Sequence, residues 1–319
     1  KNQKTPYMIP NQFGLIDIDG EEIESGLIIF DELVKTISFN NIKSKPIPSW
    51  FRGFSAPIKF SSDLSIQNKI YLASSDTDPF NRWDSAQSLW LEYILNPDQV
   101  IEKDLFQMIK NLINNESDYS LLSEMISLPS EQIIHQNVGK INVQQVHNQR
   151  SQSILSIASS FKDELLELYD QLNAPKAFDL STQSIGERAL KNKCLSYLSK
   201  LGEYDIAYQQ FIKAECMTDQ FGSFQCLLDS ENPYRVDVIT QFYKQHQSDV
   251  QVMDKWFSAQ CISSVSSVEN VRSLMQHELF SMTNPNRIRS VIGSFSQNSI
   301  QFHCQEGYQL LTEVIIELD

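Results

Sequence analysis

Long apolar runs are missing from this sequence. No stretch approaches the roughly 18 consecutive apolar residues of a helical membrane span. The opening "KNQKTPYMIP" holds no signal-peptide core. No membrane partner is therefore expected. Positive charge is scarce too: 26 Lys and Arg stand against 40 Asp and Glu, a formal net charge of −14. A chain so acidic is a poor tracker of phosphate backbones, so no nucleic-acid partner is expected. The five cysteines (Cys194, Cys216, Cys226, Cys261 and Cys304) are odd in number and form no C-x-x-C. That argues against a disulfide framework or a cysteine zinc site. It favours reduced, mostly buried thiols and a cytoplasmic location. An initiator Met is also lacking, as expected of a piece cut from a longer protein.

Catalytic signatures are equally sparse. There is no Walker loop, no G-x-G-x-x-G and no G-x-S-x-G elbow. The histidines are His135, His147, His246, His277 and His303, and no two stand at i, i+4. "HELFS" at 277–281 approaches the H-E-x-x-H zinc motif, but Ser281 occupies the second ligand position. "LIDIDG" resembles a calcium loop only superficially, because position one would be Leu15 and position twelve Gly26. Spacing alone assembles no nucleophile, base and orienting group. No catalytic residue, metal ligand or cofactor is assigned to this chain, although tertiary proximity could still build a site.

What is present divides near residue 60. "FGLIDIDGEEI" (13–23) carries an extended run and an Asp19-Gly20 turn, the signal of a hairpin. "LVKTISF" (33–39) alternates, and predicts a half-buried strand with Leu33, Lys35, Ile37 and Phe39 on one face. These strands are too few for a complete sandwich. In "KPIPSWFRGFSAP" (45–57) the prolines stop regular structure, and Trp50, Phe51 and Phe54 are expected to anchor the junction in a core.

From residue 61 the period becomes helical. Asp78-Pro79 opens a helix with Trp83, Ala86, Leu89, Trp90 and Tyr93 in step, and Asn96-Pro97 ends it and starts the next. "SILSIASSFKDELLELYDQL" (153–172) reads as one long amphipathic stretch, with Ile154, Ile157, Phe161, Leu165 and Leu168 on its stripe. Further helices are predicted near 182–200, 203–213, 218–229, 233–246, 251–262, 266–278, 284–295 and 307–318. Arg82, Trp83 and Asp84 are read as a packing and capping cluster. Asp254, Lys255 and Trp256 are read likewise, with Trp256 in the core. Thr218 or Asp219 is expected to cap a helix start. The fold expected is mainly α: a superhelical, solenoid-like array of short helices over 61–319, behind a small, incomplete β-sandwich portion over 1–60.

One segment stands apart. "NPNRIRSVIGSF" (284–295) has a capping Asn284 and a first-turn Pro285, yet places Arg287 and Arg289 near the positive end of a helix dipole. With 3.6 residues per turn the two side chains lie about 200° apart, flanking a stripe of Ile288, Val291, Ile292 and Phe295. Asn286 lies almost opposite that stripe. At most one arginine can point squarely into a given cavity. On the residues alone, the alternative that both arginines are structural ion pairs stays open.

Six segments together are similar to the C-terminal part of bacterial aminopeptidase N, the zinc-dependent alanyl aminopeptidase family. They are "FSAPIKF" (54–60), "DPFNRWDSAQSLW" (78–90), "SLPSEQ" (127–132), "MTDQFGSF" (217–224), "VMDKWFSAQ" (252–260) and "NPNRIRSVIGSF". Their order and spacing match as well. The resemblance implies that residues 1–60 are the later strands of a β-sandwich and 61–319 a helical superhelical domain whose last helices lie past Asp319. It implies a zinc-bearing catalytic domain upstream in the same polypeptide, which this chain would accompany without catalysing. The family's H-E-x-x-H helix and its G-A-M-E-N strand are not in this sequence. The helical domain would wall a chamber that admits short peptides. Arg289 would line that chamber, with Asn286 and Arg287 as further substrate-binding candidates. Arg287 is better suited to tie adjacent helices through a carboxylate or carbonyls. The alternative, which the residues alone favour, is a stand-alone helical-repeat scaffold that binds a protein or peptide partner.

Overall fold

The computed structural model describes residues 7–96 and 99–319. The predicted helix boundary at Asn96-Pro97 therefore falls partly outside the described residues. The chain forms two compact units, one ending at Pro129 and the other running Ser130–Asp319.

The first unit begins with a three-stranded antiparallel sheet in the order β2-β1-β3. β1 (Ile9–Ile16) pairs with β2 (Glu22–Phe30) from Ile9 opposite Phe30 to Ile16 opposite Glu22. The predicted hairpin turn forms because Asp17 Oδ1 accepts the backbone N–H groups of Asp19 and Glu21, both at 2.9 Å, and Gly20 takes φ 86°. β3 (Ile47–Ser49) is the other edge, where Pro48 costs no ladder bond. The strand predicted over 33–39 does not form. Lys35, Ile37 and Phe39 are half-buried in alternation, and Phe39 reaches Phe13 at 5.3 Å, but the segment has no ladder and Leu33 is exposed. Alternation reported a face, not a pairing partner.

After the sheet, Phe51 is buried, Trp50 is half-buried and Phe54 is exposed, resting on Phe80 at 5.3 Å. Of the three predicted anchors, Phe54 is thus not a core residue. Between them Arg52 is buried and bridges Glu22, Thr77 and Asp76, the last at 2.7 Å. It ties the sheet to helices α1 (Ile66–Ser75) and α2 (Pro79–Leu95). α2 buries Ala86, Leu89, Trp90 and Tyr93 as predicted, with Asp78 capping Asn81 N–H at 2.9 Å. Arg82 binds the Ala73 carbonyl and Glu116. α3 (Gln99–Asn115) and α4 (Tyr119–Met125) complete the unit.

The second unit is a succession of short helices: α5 (Glu131–His135), α6 (Val143–Ser160), α7 (Lys162–Leu172), α8 (Thr182–Lys200), α9 (Tyr204–Lys213), α10 (Met217–Leu228), α11 (Arg235–His246), α12 (Val250–Ile262) and α13 (Val268–Met275). Most start on Ser, Asp or Asn side chains that accept a backbone N–H, which is why the helices stop and start where they do. The single stretch predicted over 153–172 is broken at Phe161, whose φ −118°, ψ 22° leave the helical region. Its stripe survives the break: Ile157, Phe161, Leu165 and Leu168 are buried. Phe211, Phe224, Phe242 and Phe257 form the core, with Phe224 and Phe242 stacked at 4.5 Å. On the surface Tyr208 of α9 stacks on Tyr234 at 4.1 Å, and each hydroxyl donates to an aspartate near the other, Asp237 at 2.8 Å and Asp205 at 2.5 Å.

The fold is mainly helical, with a small N-terminal sheet, as the sequence implied. One expectation fails at α10. Its N-cap is Cys216, without a side-chain cap bond, and neither Thr218 nor Asp219 fills that role. Asp219 is buried instead and accepts from Lys191 Nζ at 2.6 Å and Asn192 Nδ2 at 2.9 Å. Gln210 closes the network by donating to the Asn192 amide oxygen and the Asp219 carbonyl.

Candidate functional site

The segment 284–295 is helical but not uniformly α. Asn284 caps α14 (Pro285–Ile288) by accepting the N–H groups of Asn286 at 3.0 Å and Arg287 at 3.4 Å. A π-turn (Arg289–Gly293) follows, then α15 (Ser294–Ser296), α16 (Ser299–Phe302) and α17 (Gln305–Leu318). Ser294 N–H reaches back five residues to the Arg289 carbonyl. Such a turn holds one residue more than an α-turn, so the faces before and after it fall out of step. Val291, Ile292 and Phe295 are buried as the 3.6 period predicts, but Ile288 is only half-buried. Arg287 and Ser290 take the inward positions at 4% and 5% exposure.

The two arginines end in opposite environments. Arg287 lies over the Phe257 ring, 4.9 Å from its centroid, and its Nη1 is 3.0 Å from Asp254 Oδ1. Its Nε and Nη1 are buried without a hydrogen bond. Arg289 is exposed, and among the described residues it has no ion pair or hydrogen bond from its guanidinium. Asn286 is exposed beside it. Three residues on one face of α12 hold this turn. Asp254 faces Arg287 and lies 3.5 Å from Ser290 Oγ, Phe257 lies under Arg287, and Ser258 Oγ accepts from Ser294 Oγ at 3.0 Å. Ser290 Oγ also donates to the Arg287 carbonyl at 2.9 Å.

Two family models match the chain end to end. A domain of unknown function (DUF3458_C) with ARM repeats covers residues 66–319, and the domain of unknown function DUF3458, with an Ig-like fold, covers residues 1–63. The chain belongs to the DUF3458_C family. It is 32% identical to aminopeptidase N of Escherichia coli over 346 aligned positions, covering 99% of this chain and 39% of that protein. It is 28% identical to aminopeptidase N of Haemophilus influenzae, with 99% and 39% covered. A crystal structure of Legionella pneumophila aminopeptidase A, in complex with aspartic acid, superposes with a TM-score of 0.88 at 29% identity, covering 97% of this chain and 39% of that one. The chain thus spans about two-fifths of the relatives it matches, and corresponds to the C-terminal part of bacterial aminopeptidase N.

The helical unit also has hollows away from this segment. One of about 800 Å³ is lined by Glu131, His135, His147, Arg150, Lys200 and His303. In it His147 Nδ1 meets Glu131 at 2.8 Å, and His135 Nε2 is buried without a partner. A second of about 680 Å³ has Lys191, Asp219 and Glu187 in its wall. Arg289, Asn286 and Arg287 line neither. Among the described residues no three His, Cys, Asp or Glu side chains gather as metal ligands do. The thiols are unpaired. Burial pushes those of Cys194 and Cys261, both in the core, up to about 12 and that of the half-buried Cys226 up to about 11, which suits unreactive thiols. No helix among the described residues is long and apolar enough to cross a membrane.

Sequence reasoning left Asp254 and Ser290 out of the site. Asp254 stood in a plain packing cluster, and nothing local links it to an arginine 33 positions later. The π-turn left no trace in the spacing. The readable signal was the pair of cations in a first helical turn, which demanded a reason.

Proposed function

We propose that this chain is the non-catalytic C-terminal part of a zinc aminopeptidase that removes N-terminal residues from short peptides. The helical unit walls the substrate chamber over the active site, and Arg289 meets the peptide downstream of the cleaved bond. Asn286 supports it from the same exposed turn, and Arg287 serves the site from within the wall. The observation that carries this reading is the exposed Arg289, without a partner among the described residues, in a chain aligned over 99% of its length with aminopeptidase N of Escherichia coli. A guanidinium fork with free donors suits a peptide carboxylate or carbonyl. Zinc belongs to an upstream catalytic domain of the same polypeptide, which is this chain's principal partner. The five thiols, none in a disulfide, fit a cytoplasmic enzyme of peptide degradation.

The test has two steps. The coding frame upstream of Lys1 is expected to encode an H-E-x-x-H helix; a start codon immediately before Lys1 would favour a free-standing scaffold. In the longer enzyme, Arg289→Ala is expected to slow cleavage of tri- and tetrapeptides far more than that of a single-residue amide. Equal losses on both substrates would remove Arg289 from the chamber.

A further inference from the structure

We infer that Asp254 is a positioning residue for Arg289, acting through Arg287 and the π-turn. This rests on the reading that Arg289 contacts peptide substrates. The arrangement is poorly explained by stability alone. Arg287 is 4% exposed, yet its Nε and Nη1 make no hydrogen bond, and the 3.0 Å approach of Asp254 is a charge contact only. A buried guanidinium left so incompletely paired is costly, and an apolar side chain would fill the same space at less cost. What the pair does achieve is local. Arg287 and Ser290 bracket Arg289 in sequence, and the Ser294 N–H donates to its carbonyl across the π-turn. Each of these residues reaches α12: Arg287 to Asp254 and Phe257, Ser290 to Asp254 and Ser294 to Ser258. Asp254, Phe257 and Ser258 stand at i, i+3 and i+4, one face of one helix. The backbone of Arg289 is thereby pinned on both sides while its side chain stays free. Turns of this kind recur at functional sites.

A double-mutant cycle in the full-length enzyme tests this. Asp254→Asn is expected to lower kcat/KM for a tetrapeptide about three- to tenfold, mostly through KM, and to leave a single-residue amide unchanged. In an Arg289→Ala background the same substitution should cost nothing further on the tetrapeptide. Arg287→Lys, which keeps the charge but loses the fork, should fall between wild type and Asp254→Asn. If Asp254→Asn does not accumulate, Ser290→Ala carries the same cycle with a smaller perturbation. A loss that is equal in both backgrounds, or shared by the amide, overturns the positioning role. A peptide-neutral Arg289→Ala would instead sink the substrate-contact reading on which the role depends, so the two failures are separable.

Discussion

Nη1 of Arg287 lies 3.0 Å from Oδ1 of Asp254, while the guanidinium rests over the Phe257 ring. Removing either partner leaves the other in a site built for two charges. Arg287→Ala is expected to destabilise the chain by about 3 kcal/mol, the low end for a broken buried pair, because the Asp254 side chain keeps 22% exposure. Arg289→Ala should stay within about 0.5 kcal/mol of wild type, as exposed substitutions do. Urea denaturation of the two variants side by side checks the contrast; equal midpoints would contradict it.

For catalysis the order reverses. A charge-assisted hydrogen bond from Arg289 to a peptide carboxylate contributes about 1.5–3 kcal/mol. Arg289→Ala should therefore lower kcat/KM about ten- to a hundredfold for peptides long enough to reach it, and hardly at all for a small amide. Steady-state kinetics on a ladder of peptide lengths in the full-length enzyme would locate the length at which the loss sets in.

Lys191 and Asp219 form a second buried pair, both less than one-tenth exposed and bonded at 2.6 Å. Here the satellite hydrogen bonds from Asn192 and Gln210 are complete. Asp219→Ala should cost about 3–5 kcal/mol by stranding the lysine. Replacing both with Met and Leu should recover most of that loss. A double variant no more stable than Asp219→Ala would show that the network, not the stranded charge, sets the cost.

Acid should loosen the start of α8. Hydrogen bonds from the Ser181 and Ser184 side chains and the Ser181 backbone hold the Asp179 carboxyl down to about 2, from an ordinary 3.8. A carboxyl depressed in the fold adds stability that is complete above its unfolded pKa and disappears as pH falls through its folded one. The contribution should therefore be full above about pH 4 and lost toward pH 2. Asp179→Asn should flatten that part of the stability curve; an unchanged acid limb would remove Asp179 from the account.

Two helical glycines should respond oppositely to alanine. A Cβ on Gly307 would lie 2.1 Å from the Phe302 carbonyl oxygen, where backbone must move. Gly307→Ala should cost more than about 2 kcal/mol. A Cβ on Gly293 meets only Arg289 Cβ at 3.7 Å, an ordinary contact. Gly293→Ala should stabilise by about 0.5–1 kcal/mol, the helical difference between the two residues. Thermal melts decide both.

The legible parts of the fold were those whose cause is local. The Asp17–Glu21 turn, the Asp78 cap and the stripe of α2 each arise within a few residues of sequence. The strand expected over 33–39 failed because a ladder needs a partner that alternation does not name. Asp219 was misread as a cap because its true partner, Lys191, lies 28 residues upstream. At the site, the capped start and the two cations were visible, but the π-turn was not, since counting at 3.6 residues per turn assumes the geometry it would need to detect. The carboxylate and ring that face Arg287 belong to α12, and only packing brings α12 there.

The exchanged pairs of Tyr208 with Asp237 and Tyr234 with Asp205 act as a double latch between α9 and α11. Because the stacked rings share one position, neither helix can roll about its axis without opening both latches together. Amide exchange along these two helices should therefore follow one common opening event rather than fraying separately from each end, and a single Tyr→Phe change at either ring should speed exchange on both sides of the clasp.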